Sequence, residues 1–532
     1  MSNYLHLGTV AAIALAVTTN QSEKAAPAVQ KAAGCEALAG TSLPNGKVDA
    51  AVPVAKGATV DTEKGKPGLP AAAGFCRVQA TLSAGSGSSI KVELWLPDRA
   101  AWNGKLLGTG NGGFGANLTI PALLMRGGVE KGYAAVGSDM GHFGESDVDA
   151  KWALNAPEKI KDFGWRANHL AAGFAKAIVA AYYTPPLEAA YFHGCSDGGR
   201  EALMEAQRFP EDYDAVVAGA PAIPWTRMTT AFAADHLAVF GDRASALPAD
   251  KLKLLQTASL GQCDKIDGVA DGVIDDPRRC GFDPGVLQCK PGDTSGQCLS
   301  TAQVKSARAL YRGAQGPDGK PFFHGYAPGA EAVSGTWDLW LTGANAQHGR
   351  FATEFYRYMV HSDPNWQVSS FDITRDYPLA KQRMGGDLDA DNADLGPFLR
   401  RGGKLILYHG WNDAAIAPGN TIDYYQRVRS AQPGLVAGSV RLFMVPGMSH
   451  CLAGPGPNVF DAVGTLDKWR LGGPAPEQMV ATKYDNDLFA YLGFPATRIR
   501  SRPLCAWPKV ARWNGGGSTD DAANFSCAAP EK

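Results

Sequence analysis

Apolar and polar residues alternate over Cys76–Ala84 (CRVQATLSA) and again over Ile90–Pro97 (IKVELWLP), with GSGSS between them. Alternation around a Gly/Ser turn predicts a β-hairpin. Short apolar runs follow at Lys105–Thr109 and Tyr133–Ser138, and the first leads into the glycine-rich GTGNGGFG. Phe163–Tyr183 has helical spacing and passes through TPP into Ala189–His193, a buried-strand pattern. Arg200–Phe209 reads as a helix and Val216–Ala220 as the next strand. Strands alternating with helices predict a doubly wound, mostly parallel sheet. The rhythm stops after Pro224, and the chain reads as irregular from Trp225 to about Leu395. It resumes with strand patterns at Lys404–His409 and Val440–Val445 and a helix over 418–431. The reading is one α/β core interrupted by a lid. Its parts are a leader over 1–26, the first part of the core over 27–225, the lid over 226–395 and the second part over 396–532.

Composition narrows this picture. The chain has 532 residues, 45% hydrophobic and 19% charged, which excludes a collagenous or disordered polymer. Net charge is −1, so the basic excess of a nucleic-acid binder is missing and no nucleic-acid partner is expected. No run of 18 apolar residues occurs, so no membrane-spanning helix is expected. Leu7–Val17 is an apolar run long enough for the h-region of an export signal, although no Lys or Arg precedes it. Ten cysteines, an even number with several close pairs, suit an oxidising compartment. A secreted or periplasmic protein is the expectation.

The chemistry concentrates at Gly194-Cys195-Ser196-Asp197-Gly198, a G-x-S-x-G between a strand pattern and a helix pattern. That context is a nucleophile elbow, a turn so sharp that side chains on the flanking glycines would clash. A serine becomes nucleophilic through a base and an acid that orients it. Asp413 follows the strand KLILYH, His450 follows the strand VRLFMV, and the order Ser196, Asp413, His450 is that of α/β-hydrolases. His409 is a competing base but falls inside its strand, and His193 is expected to be packed in the sheet.

These residues resemble the tannase and feruloyl esterase family, which includes the mono(2-hydroxyethyl) terephthalate hydrolases. The motifs are GCSDGGR at 194–200, YHGWND at 408–413 and GMSHC at 447–451. LGTGNGGFG, DFGWRANH, AGAPA and DPNW extend the likeness over nearly all the chain after residue 35. The resemblance implies an α/β-hydrolase core with a large lid, cleavage of aromatic-acid esters, and a triad at Ser196, Asp413 and His450. It places the oxyanion donors on the backbone N–H of Asp197 and on a glycine of the 110–115 turn, taken as Gly113. Contact of Ser196 with His450 would bring Cys195 and Cys451 together. Proximity and resemblance select the bridges Cys35–Cys76, Cys195–Cys451, Cys263–Cys280, Cys289–Cys298 and Cys505–Cys527.

In the lid, CDKIDGVADGVIDDPRRC at 263–280 clusters hard oxygen donors in a glycine-containing loop, which suits Ca²⁺. The spacing is not that of an EF-hand. The resemblance implies a structural calcium site of Asp264, Asp267 and Asp271 with the carbonyls of Val269 and Val273, Asp275 being a further candidate. No organic cofactor is expected. The lid aromatics Trp337, Trp340, Phe351, Phe355, Tyr356 and Trp366 could wall a flat acyl group, and Arg350 or Arg357 could hold a carboxylate. The substrate expected is a small ester of a hydroxycinnamic (feruloyl-type) acid, derived from plant cell wall or polyphenol. A tannase or a terephthalate-type monoester hydrolase is the alternative within that chemistry. A catalytically silent, calcium-stabilised binding protein is the alternative outside it.

Overall fold

A computed structural model describes residues 31–62, 68–115, 117–293 and 295–530. The candidate export segment at Leu7–Val17 lies outside the described residues.

One ten-stranded sheet organises the chain. Its strands are β1 (Ser42–Leu43), β2 (Gly46–Val54), β3 (Phe75–Leu82), β4 (Ile90–Pro97), β5 (Lys105–Thr109), β6 (Ala134–Ser138), β7 (Ala189–Cys195), β8 (Ala215–Gly219), β9 (Lys404–Gly410) and β10 (Val440–Val445). They lie in the order β1-β2-β3-β4-β6-β5-β7-β8-β9-β10. The expected hairpin is β3–β4, with Phe75 opposite Pro97 and Leu82 opposite Ile90. The steps from β1 to β6 are antiparallel and those from β6 to β10 parallel. This is the α/β-hydrolase arrangement expected. The central parallel strands are covered on both faces and carry all-buried runs such as Ala215–Gly219, which is why they read as short apolar blocks.

Five helices support the sheet: α1 (Thr119–Glu130), α2 (Ala167–Tyr182), α3 (Asp197–Arg208), α4 (Gly419–Ala431) and α5 (Ala462–Arg470). A wider helical turn over Asp162–Arg166 precedes α2. β5 and β7 are neighbours, and the chain leaves β5 for β6 on one side and reaches β7 on the other. Ligand crevices open at such a reversal, beyond the carboxyl ends of the strands. The glycine turn after β5 and the serine after β7 therefore meet there.

The segment between β8 and β9 corrects one expectation. It is built on helices at Trp225–Phe240, Ala249–Cys263, Thr301–Arg312 and Ile373–Leu388 rather than being irregular. In Ala249–Cys263 the buried positions are Leu252, Leu255, Ser259 and Cys263. Two of the four are not large and apolar, which hides the helical stripe in the sequence. Past β10, two small antiparallel pairs, Gln478–Tyr484 with Arg498–Cys505 and Val510–Trp513 with Phe525–Ala528, complete the chain. No helix among the described residues is long and apolar enough to cross a membrane.

All ten cysteines are paired as expected: 35–76, 195–451, 263–280, 289–298 and 505–527.

Candidate active site

Ser196 sits between β7 and α3 with φ 65° and ψ −122°, a conformation that non-glycine residues rarely hold. Its surroundings enforce it. Ser196 N donates to Gly219 O at 3.0 Å, and its carbonyl accepts from the N–H groups of Gly199, Arg200 and Ala222. A Cβ at Gly194 would come within 2.3 Å of Gly198 O, and one at Gly199 within 2.4 Å of Gly219 O. The glycines of the motif are thus required by backbone contact. The strain is held at the serine of the motif.

The structure brings the candidate acid Asp413 and the candidate base His450 together. His450 Nδ1 donates to Asp413 Oδ2 at 2.7 Å. Asp413 Oδ1 accepts from the N–H groups of Ala415 and Ile416 at 2.8 and 2.9 Å. Burial alone would raise the Asp413 carboxyl. The charge of His450 and the hydrogen bonds from both histidines outweigh it and hold that carboxyl well below the usual carboxylate range. His409 is fully buried in β9. Its Nε2 donates to Asp413 Oδ2 at 3.1 Å and to Ile416 O at 3.0 Å, while Nδ1 accepts from Thr421 Oγ1 at 2.8 Å. His409 is therefore a second support for Asp413.

Ser196 and His450 wall one cavity of about 510 Å³. The bridge Cys195–Cys451 joins the residue before the serine to the residue after the histidine, with Cα atoms 6.0 Å apart. Gly113 and Asp197 line the same cavity. Neither of their backbone N–H groups is bonded to another described residue, whereas Gly112 N donates to Asn111 Oδ1 at 3.0 Å. That contrast distinguishes Gly113 from its neighbour as an available donor. Gly113 has φ 58°, and a Cβ there would lie 2.2 Å from Asp147 O.

The glycine turn is locked to α3 by residues the sequence reading missed. Gly198 N donates to Asn111 O at 3.0 Å. Asn111 N donates to the Glu201 carboxyl at 3.2 Å, and Asn168 Nδ2 to Glu201 Oε2 at 2.7 Å. Burial, then the neighbouring Asp197, push the Glu201 carboxyl well above its ordinary range. Arg200, fully buried, pairs with Asp197 Oδ1 at 2.5 Å and donates to the carbonyls of Gly164 and Phe163. The GGRE run after the elbow and the DFGW run ahead of α2 are thus two halves of one contact. Helical spacing of Asp197 and Glu201 was the signal available.

The lid aromatics divide. Trp340 and Phe351 line the cavity, their rings stacked at 6.2 Å, and Trp340 meets His450 edge-on at 5.3 Å. Trp337, Phe355, Tyr356 and Trp366 are buried away from it in the lid core. Arg350 reaches the cavity wall, while Arg357 Nε is committed to Trp366 O at 2.6 Å. His193, expected to be packed, is half-buried and faces the cavity.

In the acidic lid loop Asp264 and Asp267 turn onto the loop's own backbone, and Asp271 turns outward to two arginines. Asp264 accepts the N–H groups of Asp271, Gly272 and Val273, and Asp267 accepts that of Val269. Asp271 Oδ2 pairs with Arg500 and Arg502 at 2.9 and 2.6 Å. Among the described residues no group of three or more His, Cys, Asp or Glu is gathered to hold a metal. The donor chemistry still fits a hard cation. Burial foremost, then neighbouring carboxylates, raise Asp267 to about 6 and Asp275 to about 8.

The family model "Tannase and feruloyl esterase" matches residues 76–528. The chain belongs to the tannase and feruloyl esterase family. Within that family it is 36% identical to an uncharacterized esterase of Xanthomonas campestris pv. campestris, over 98% of this chain and 94% of the other. It is 34% identical to a mono(2-hydroxyethyl) terephthalate hydrolase of Piscinibacter sakaiensis, over 83% and 82%. The crystal structure of feruloyl esterase B from Aspergillus oryzae matches with a TM-score of 0.82 at 28% identity, covering 92% of this chain and 97% of that one. Like these family members the chain is a carboxylic ester hydrolase, which sets aside a silent binding protein on the same scaffold.

Proposed function

We propose that this esterase cleaves esters of aromatic acids, feruloyl-type acids first, through Ser196, His450 and Asp413. The supporting observation is that His450, held by Asp413 at 2.7 Å, shares one cavity with the strained Ser196 beneath Trp340 and Phe351. Nδ1–H of His450 is fixed on the ionised Asp413, which leaves Nε2 as the base. His450 Nε2 takes the Ser196 proton as Oγ attacks the ester carbonyl. The N–H groups of Asp197 and Gly113 receive the negative oxygen of the tetrahedral intermediate. His450 returns the proton to the departing alcohol, and water then releases the acid by the same steps.

One aromatic ring buries about 150 Å² or more, worth about 4 kcal/mol before ordering costs. Retained in the transition state, this contact raises kcat/KM for aromatic acyl groups over short aliphatic ones. The test is methyl ferulate against ethyl butyrate at equal concentration. A preference for the butyrate overturns the acyl assignment.

Arg350 at the cavity wall favours a second reading, a terephthalate-type monoester whose free carboxylate meets the guanidinium. Arg350→Ala would then raise KM for the terephthalate monoester and leave that for methyl ferulate unchanged. A calcium ion in the lid loop, held by Asp264, Asp267, Asp271 and the carbonyls of Val269 and Val273, belongs to the same proposal as a structural element. Export belongs to it too, supported by the five bridges. N-terminal sequencing of the mature protein tests it.

A further inference from the structure

A second buried aspartate–histidine pair lies in the lid. Asp235, on the helix Trp225–Phe240, and His348, on the helix Gln347–Glu354, are 5% and 1% exposed. His348 Nδ1 lies 3.1 Å from Asp235 Oδ2, which also accepts from the Tyr326 hydroxyl at 2.8 Å. His348 Nε2 lies 3.1 Å from Ala415 O. Both partners of the ring are acceptors, so it makes the two bonds together only with a proton on each nitrogen, and Asp235 is then its counter-charge. Phe232, one helical turn before Asp235, stacks on the same ring at 3.8 Å and fixes its plane.

Ala415 makes this pair more than lid packing. Its carbonyl faces the lid histidine, while its N–H and that of Ile416 donate to Asp413 Oδ1. The next carbonyl, Ile416 O, receives His409 from the sheet at 3.0 Å. The short loop that holds Asp413 is thus pinned at two successive carbonyls, one from the core and one from the lid. The side chains of Ala415 and Ile416 carry no polar atom, so only backbone bonds can fix this loop in place.

His348 does not line the catalytic cavity, but the rings that touch it do. Phe232 covers one face, and Trp340 meets it edge-on at 6.2 Å while meeting His450 at 5.3 Å. The lid's contact with the acid loop is therefore built into the wall of the cavity itself.

We propose that His348 is a positioning residue of the triad: through Ala415 it holds the loop that orients Asp413, so the lid as well as the core keeps the acid in register with His450. This rests on the reading of Asp413 as the triad acid.

The test separates the two nitrogens of the ring. Gln at 348 presents a donor near the position of Nε2, toward Ala415, and Asn presents one near that of Nδ1, toward Asp235. Kinetics are measured on whichever of methyl ferulate and ethyl butyrate is turned over faster. His348→Phe should lower kcat about 10–100-fold and leave KM within about twofold. His348→Gln should recover most of that loss, and His348→Asn should not. In an Asp413→Asn background His348→Phe should cost less than about twofold, because residues that act as a unit are not additive. Unchanged kcat in His348→Phe, equal kcat in the Gln and Asn variants, or losses that multiply in the double variant each overturn the proposal. Should His348→Phe fail to fold, the Gln and Asn variants decide, with Asn taking its place in the double variant. Near-wild-type turnover by Asp413→Asn alone overturns the acid assignment and this proposal with it, whereas a full loss there with multiplying effects strikes only the lid contact.

Discussion

His409 Nε2 lies 3.1 Å from Asp413 Oδ2, the oxygen that also receives His450 Nδ1. A histidine inside a strand thus steadies Asp413, the proposed catalytic acid, without lining the cavity. His409→Phe removes that donor and leaves Asp413 held by two backbone N–H groups and His450. We expect kcat to fall about 10–100-fold with KM little changed, and stability to fall by about 1–3 kcal/mol. Steady-state kinetics and thermal melting check both, and His409→Gln, which retains a donor, should recover part of kcat.

The triad variants set the scale. Ser196→Ala should fold normally and lose about 10⁴-fold or more of kcat, while Asp413→Asn should cost somewhat less. Near-wild-type turnover by the serine variant would remove the mechanism.

Glu201 holds the N–H of Asn111 from beneath the glycine turn. In Glu201→Ala that N–H loses its partner, two residues before Gly113, the proposed oxyanion donor. The expected result is a fall in kcat of about 10–100-fold, KM nearly constant, and a marked recovery in Glu201→Gln. Equal damage by Ala and Gln would show that the residue matters for packing alone.

His142 couples acidity to the same turn. It is 4% exposed, stacks on Trp152 at 3.6 Å, and sets Nε2 2.6 Å from Phe114 O. Burial outweighs the two carbonyls beside the ring and lowers its pKa to about 4, from about 6.5 when unfolded. A depressed value means the stabilisation is complete above pH 6.5 and is lost as pH falls toward 4. The loss is about 3 kcal/mol at most. Melting temperature should therefore drop across that window, and His142→Gln should flatten the drop. An unchanged slope in the variant would show that other groups carry it.

Calcium, if bound to the native lid loop, stabilises it by mass action. Chelation should lower the melting temperature while kcat at permissive temperature stays within about twofold, because the proposed triad chemistry uses no metal. Metal analysis that finds none in the purified protein, with melting indifferent to added calcium, refutes the site.

Much of the core was legible because the parallel strands are short apolar blocks and the elbow demands its glycines. Gly194, Gly198 and Gly199 face backbone atoms, so residue type alone carries the geometry. The lid was not legible in the same way. Trp340 and Trp337 are three residues apart on one helical stretch, yet one faces the cavity and the other the lid core. Only tertiary packing separates them. His193 was misjudged, and the contact of His409 with Asp413 went unread, for a related reason. A strand position fixes which face a ring occupies, but not whether that face meets a core, a carboxylate or a cavity.

The bridge at the active site spans 256 residues, while the other four span 41, 17, 9 and 22. It therefore encloses the entire stretch between β8 and β9 in one covalent ring. A protease that nicks an exposed turn of that stretch cuts the polypeptide but does not release its halves. Serine and histidine would remain tethered through their neighbouring sulfurs, and the two fragments would migrate apart only after reduction. In a degradative, enzyme-rich milieu, such a ring would let a clipped molecule keep the Ser196 and His450 loops together.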